Sequence, residues 1–86
     1  NSVNFPSINL PRTTKNRIAI TNKNVPAMIG QIATTLGELE LNIADMTNVS
    51  RGDLAYNLID IKNSVNKRAL NKLSSFETII NTWLIT

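Results

Sequence analysis

The spacing of hydrophobic positions along the chain changes repeatedly, and each change marks an element. From Arg17, Ile18 and Ile20 alternate with Arg17, Ala19 and Thr21, the two-residue period of a strand with one face toward a core. Asn22, Lys23 and Asn24 interrupt it. Asn24 stands two positions before Pro26, which predicts a helix with Asn24 near its N-cap and Pro26 in its first turn. Met28, Ile29, Ile32, Ala33, Leu36 and Leu39 then recur at spacings of three and four, one apolar stripe through about Leu39. Gly30 inside this stripe costs up to ~1 kcal/mol against alanine, which close approach of the helix to the sheet or to a partner would explain.

Two further extended segments follow, Asn42 to Ser50 and Leu54 to Ile61, separated by Arg51, Gly52 and Asp53. Those three have the composition of a tight turn, so the pair reads as a hairpin. Asn63 and Ser64 offer caps for a second helix with Val65, Ala69, Leu70 and Leu73 inward and Lys67, Arg68 and Lys72 outward. Thr78 to Ile85 alternates again, with Ile80, Thr82 and Leu84 on the expected core face and Ile79, Trp83 and Ile85 opposite. The order βαββαβ, with right-handed crossovers, predicts the α+β ferredoxin-like arrangement: a four-stranded antiparallel sheet with two helices on one face. The second sheet face would then show Leu54, Tyr56, Leu58, Trp83 and Ile85, a patch large enough that another surface is expected to cover it.

Residues 1–15 fit neither period. Pro6 and Pro11 punctuate them, and Val3, Phe5, Ile8 and Leu10 are scattered, so they read as a linker from a missing region, with 16–86 as the folded domain. A start at Asn1 agrees with a piece excised from something longer. Eighty-six residues leave room for one small domain, and 42% hydrophobic against 17% charged residues is the balance of a chain that forms a core. No apolar run approaches the ~20 residues of a membrane span and no signal peptide opens the chain, so a cytoplasmic protein without a membrane partner is expected.

Composition narrows the chemistry further. The absence of cysteine and histidine excludes disulfide scaffolds, zinc fingers, thiol nucleophiles and the commonest acid-base side chain. The glycines Gly30, Gly37 and Gly52 are too scattered for a phosphate-cradling loop. The carboxylates Glu38, Glu40, Asp45, Asp53, Asp60 and Glu77 have no metal-site spacing and read as surface charge. A net charge of +3 admits an anionic partner, but only Tyr56 and Trp83 could stack bases and no RNA-recognition motif surrounds them, so no nucleic acid is expected. Acylphosphatase-type hydrolysis would need an arginine in the first loop, where Lys23 stands. Arg51-Gly52-Asp53 and Asn48-Val49-Ser50 match an adhesion tripeptide and a glycosylation sequon, and both are read as ordinary turn and strand residues. No catalytic residue and no metal ligand emerges.

What remains is polar and uncharged: Asn22 and Asn24 in the first loop, and Asn42 at the start of the second strand. A carboxamide carries both donor and acceptor, so such a cluster can address the ammonium and the carboxylate of an amino acid. The N–H groups of Ala27 and Met28, in the first turn of the helix, add donors for the carboxylate. The competing account is that these are cap and turn residues, in a chain with thirteen asparagines.

The runs Asn22-Lys23-Asn24-Val25-Pro26-Ala27-Met28-Ile29-Gly30, Leu41-Asn42-Ile43-Ala44-Asp45-Met46 and Arg51-Gly52-Asp53-Leu54-Ala55-Tyr56-Asn57-Leu58-Ile59-Asp60 resemble the ACT domain at the C-terminus of D-3-phosphoglycerate dehydrogenases, over about residues 16 to 86. The leader Ser2-Val3-Asn4-Phe5-Pro6 resembles the segment that leaves the catalytic region of those enzymes. The resemblance implies a module that pairs with its twin edge to edge and binds L-serine, or a related amino acid, at the interface. It implies Asn24 and Asn42 as ligand asparagines from different subunits, with Asn22 where some members carry histidine. The fragment would itself hold no cofactor, NAD belonging to the parent oxidoreductase of serine biosynthesis. Glu40 and Thr78 stand where glycine is common, so the end of the first helix is expected to differ if Glu40 has positive φ. The alternative is a dimerisation module that binds no ligand.

Overall fold

The computed structural model describes residues 16–85, so the expected linker over 1–15 lies outside the described residues. Its elements are β1 (Asn16–Lys23), α1 (Met28–Glu38), β2 (Ile43–Arg51), β3 (Leu54–Ile61), α2 (Lys67–Ser74) and β4 (Ile79–Ile85), in the predicted order. The strands form one antiparallel sheet in the order β2-β3-β1-β4, with β1 and β3 central. Ile18, Ile20, Ile59 and Ile61 share a face, and Met28, Ile32 and Leu36 of α1 join Ala69 and Leu73 of α2 against it in one core. Both helices therefore lie on the same side, the ferredoxin-like arrangement.

Three local readings are corrected. Asn24 does not cap α1: the N-cap is Ala27, with φ 69° and no side-chain cap. Asn63 and Ser64 do not cap α2 either. Asn66 does, its Oδ1 accepting from Ala69 N–H at 2.9 Å. Asn63 instead clamps the loop after α1, donating Nδ2 to the Glu40 carbonyl at 2.8 Å and accepting from Asn42 N–H at 2.9 Å. In β4 a register shift opposite Thr21 and Asn22 pairs Thr21 with Asn81 but Asn22 with Ile79. A bulge of this kind turns the preceding residues over, so Ile79 enters the core and Ile80 is exposed, the reverse of simple alternation.

The stripe of α1 is narrower than its spacing implies. Ile29 is 50% exposed, and Gly30 has no atom within 4 Å of where a Cβ would stand, so Gly30 makes no close approach to the sheet. Glu40 does adopt positive φ, at 60°. Leu41 N–H reaches the Leu36 carbonyl at 2.9 Å and Glu40 N–H the Gly37 carbonyl at 3.0 Å, a Schellman ending with glutamate in the place usually taken by glycine. On the sheet face away from the helices, Tyr56 and Leu58 are buried, whereas Trp83 and Ile85 at the β4 edge are 37% and 40% exposed.

Asp60 is not surface charge. It is fully buried on β3 beside Arg17 of β1, which holds it through Nε at 2.7 Å and a second guanidinium nitrogen at 3.1 Å. The Asp60 hydrogen bond raises the Arg17 pKa above its ordinary value, against the opposing effect of burial.

Candidate functional site

β1 ends beside the β2–β3 turn because both central strands run antiparallel, and the loop into α1 is tied to that turn. Asn24 N–H donates to the Asp53 carbonyl at 2.8 Å, and Asn24 Nδ2 to the Gly52 carbonyl at 3.0 Å. Pro26 and the left-handed Ala27 then swing the chain into α1. A non-glycine residue in that region carries a steric cost of roughly 1–2 kcal/mol, so the bend is imposed by its surroundings. The first α-helical bond of α1 joins Gln31 N–H to the Ala27 carbonyl, which leaves the N–H groups of Met28, Ile29 and Gly30 without an intrahelical partner.

These features border one recess of about 220 Å³ between the β1–α1 loop, the start of α1 and the end of β2. Asn22, Asn24, Ala27 and Met28, all expected from the sequence, line it together with Ile29 and Gly30; Asn48, Ser50 and Ala55 form the sheet wall. Every described lining residue is uncharged. The recess is below the roughly 300–1,000 Å³ common for drug-sized ligands, so its scale is that of a smaller solute. A larger polar recess of about 350 Å³ lies between the end of α1 and the start of α2, where Glu38, Glu40 and Arg68 present both signs of charge.

Asn42 is not brought to these residues within one chain. It precedes β2, whose first residue Ile43 pairs with Ile61 at the opposite end of the sheet from the Arg51–Leu54 pair. There its carbonyl accepts from Lys62 N–H at 2.8 Å. Asn22 is only 1% exposed, and its Nδ2 is committed to the Lys23 carbonyl at 2.8 Å.

Two members of the site escaped the sequence reading. Asn57, fully buried on β3, donates Nδ2 to Asn22 Oδ1 at 2.7 Å and accepts from Asn48 Nδ2 at 2.7 Å. Asn57 is thus the middle of a three-amide row, and Asn48, opposite it in register on β2, is the end member at the wall of the recess. The signal was present, because Asn57 alternates with Ala55, Ile59 and Ile61 and thus occupies a core-facing position with a polar group. A buried carboxamide in that position must find partners.

No helix among the described residues is long and apolar enough to cross a membrane, and they contain no cluster of three or more metal-ligating carboxylates. No protein-family model and no curated protein matches the sequence. Among solved structures, the chain is similar to the ACT domain of GTP pyrophosphokinase from Chlorobium tepidum at a TM-score of 0.65 and 16% identity, over 81% of this chain and 95% of that one. It is similar to the ligand-free regulatory subunit of aspartate kinase from Thermus thermophilus at a TM-score of 0.66 and 12% identity, over 83% of this chain and 50% of that one. With its four strands in the order β2-β3-β1-β4 and two helices on one face, the chain has the ferredoxin-like fold of an ACT domain.

Proposed function

We propose that the chain is an amino-acid-binding regulatory domain that works as a pair, with L-serine as its effector and a D-3-phosphoglycerate dehydrogenase as its parent. The observation that carries the reading is the uncharged recess lined by Asn22, Asn24 and the start of α1. An uncharged site with donors and acceptors suits a zwitterion, whose charges cancel overall but each need a hydrogen-bonding partner. The ACT fold and the sequence runs around Asn24 and Asn42 support the choice of effector and parent. In that reading the domain has no catalytic residue of its own, and the NAD-dependent oxidation of 3-phosphoglycerate belongs to the parent, in the cytoplasm.

Pairing supplies what one chain lacks. Among the described residues β2 is an edge strand, with a row of backbone donors and acceptors that no other described strand pairs. If it meets β2 of a second copy antiparallel about a two-fold axis near Thr47, Asn42 of one copy falls opposite the Arg51–Gly52 turn of the other. Asn24 is bonded to that turn, so Asn42 arrives beside the recess of its twin. A small ligand there touches both copies and binds the pair more tightly than either alone. By linkage, anything that favours pairing tightens binding to the same extent.

Calorimetry with L-serine on the chain tests the reading, with sedimentation at matched concentrations. Heat at millimolar serine or below, accompanied by a larger dimer fraction, is expected. A dimer indifferent to serine and to other amino acids would leave a pairing module without a ligand and reject the proposal.

A further inference from the structure

We infer that Asn48 Oδ1 is the acceptor in this recess for a ligand ammonium group, and that Asn57 and Asn22 are the positioning residues that fix which way the Asn48 amide is turned. This rests on the amino-acid reading above and assigns a contact outside the set expected from the sequence.

A carboxamide offers a donor one way round and an acceptor the other, so three amides in a row could run in either direction. Lys23 removes the choice. Its backbone carbonyl can only accept, so Asn22 must aim Nδ2 at it, as it does at 2.8 Å. Asn22 is then left with Oδ1 for Asn57, and Asn57 must donate Nδ2 to it at 2.7 Å. Asn57 is left in turn with Oδ1, which accepts from Asn48 Nδ2 at 2.7 Å. Asn48, which lines the recess, thus has one amide N–H engaged by Asn57, with Oδ1 and the second N–H left for a ligand.

Reversal would set the Asn22 oxygen against the Lys23 carbonyl. Asn22 is 1% exposed and Asn57 fully buried, so no solvent is available to relieve the clash. The relay therefore holds Asn48 Oδ1 as an acceptor on the sheet wall, beside a Ser50 hydroxyl that can turn either way, and the backbone donors lie across the recess at the start of α1. An ammonium belongs at the first and a carboxylate at the second. Solutes that keep the carboxylate but lack the ammonium leave Asn48 Oδ1 without a donor.

The test uses the whole chain and two probes, L-serine and 3-hydroxypropionate, which has the same carboxylate and hydroxyl but no amino group. In isotope-labelled protein, the Asn57 NH2 protons should show NOEs to the Asn22 side chain; contacts to Asn48 in their place would overturn the relay. Wild type should prefer serine, and Asn48→Leu should weaken serine about tenfold or more while leaving 3-hydroxypropionate unchanged. Asn48 is exposed, and an unchanged NOE pattern elsewhere, with Asn48→Ala as a second variant, separates lost contact from lost fold. A preference for serine that survives both substitutions overturns the assignment of Asn48. A wild type that binds neither probe overturns the amino-acid reading itself, while the NOEs still decide the direction of the relay.

Discussion

Arg17 and Asp60 face each other across the two central strands, joined by bonds of 2.7 and 3.1 Å in a two-pronged pair whose carboxylate has no exposure to solvent. Planar guanidinium and carboxylate match in this geometry, and the pair fixes the β1–β3 register at the end of the sheet away from the recess. Removing one partner strands a buried charge, which costs more than the pair itself contributes.

Asp60→Asn should therefore destabilise the chain by about 3 kcal/mol, seen as a lower urea midpoint. The double replacement Arg17→Met with Asp60→Leu should lose less than Asp60→Asn alone. Equal losses would mean that the pair is solvated in solution.

Glu40 ends α1 at φ 60°, where glycine has no steric cost. Glu40→Gly should raise stability by roughly 0.5–1 kcal/mol, the relief of strain exceeding the added freedom of the unfolded chain. Thermal unfolding measures it. A fall in the melting temperature would show that the glutamate side chain contributes more than its backbone costs.

Gly30 has open space where a Cβ would stand, yet it lines the recess. Gly30→Ala should stabilise the helix by up to ~1 kcal/mol and at the same time weaken serine binding. The opposite signs are the informative result. If affinity is unaffected, neither ligand nor second copy comes near this position.

Edge pairing can be attacked at its centre. Thr47→Lys sets like charges opposite each other where two β2 strands would meet about a two-fold axis, so sedimentation should show monomers with an unchanged circular dichroism spectrum. Asn24→Ala and Asn42→Ala should each cost roughly 1–3 kcal/mol of serine affinity. A mixture of the two single mutants should recover some binding, because one of the two sites in a mixed pair keeps Asn24 from one chain and Asn42 from the other.

The sequence by itself determined the element order and the helix-side core. Ile18 with Ile20, and Ile32 with Leu36, announce strand and helix because side-chain direction follows directly from backbone period. It also placed Asn22, Asn24, Ala27 and Met28 close together, since they are neighbours in one loop. Partners distant along the chain were decided by the tertiary structure. Asp60 looks like surface charge until register brings Arg17 beside it, and Ile79 looks outward until a bulge against β1 turns it in. Asn57 could be recognised as polar in a core-facing row, but the direction of its hydrogen bonds depends on Asn22 and Asn48, which only the pairing of β3 with β1 and β2 brings beside it. Periodicity is a property of a short stretch of backbone. Register, bulges and buried polar partners are settled by which strands lie side by side.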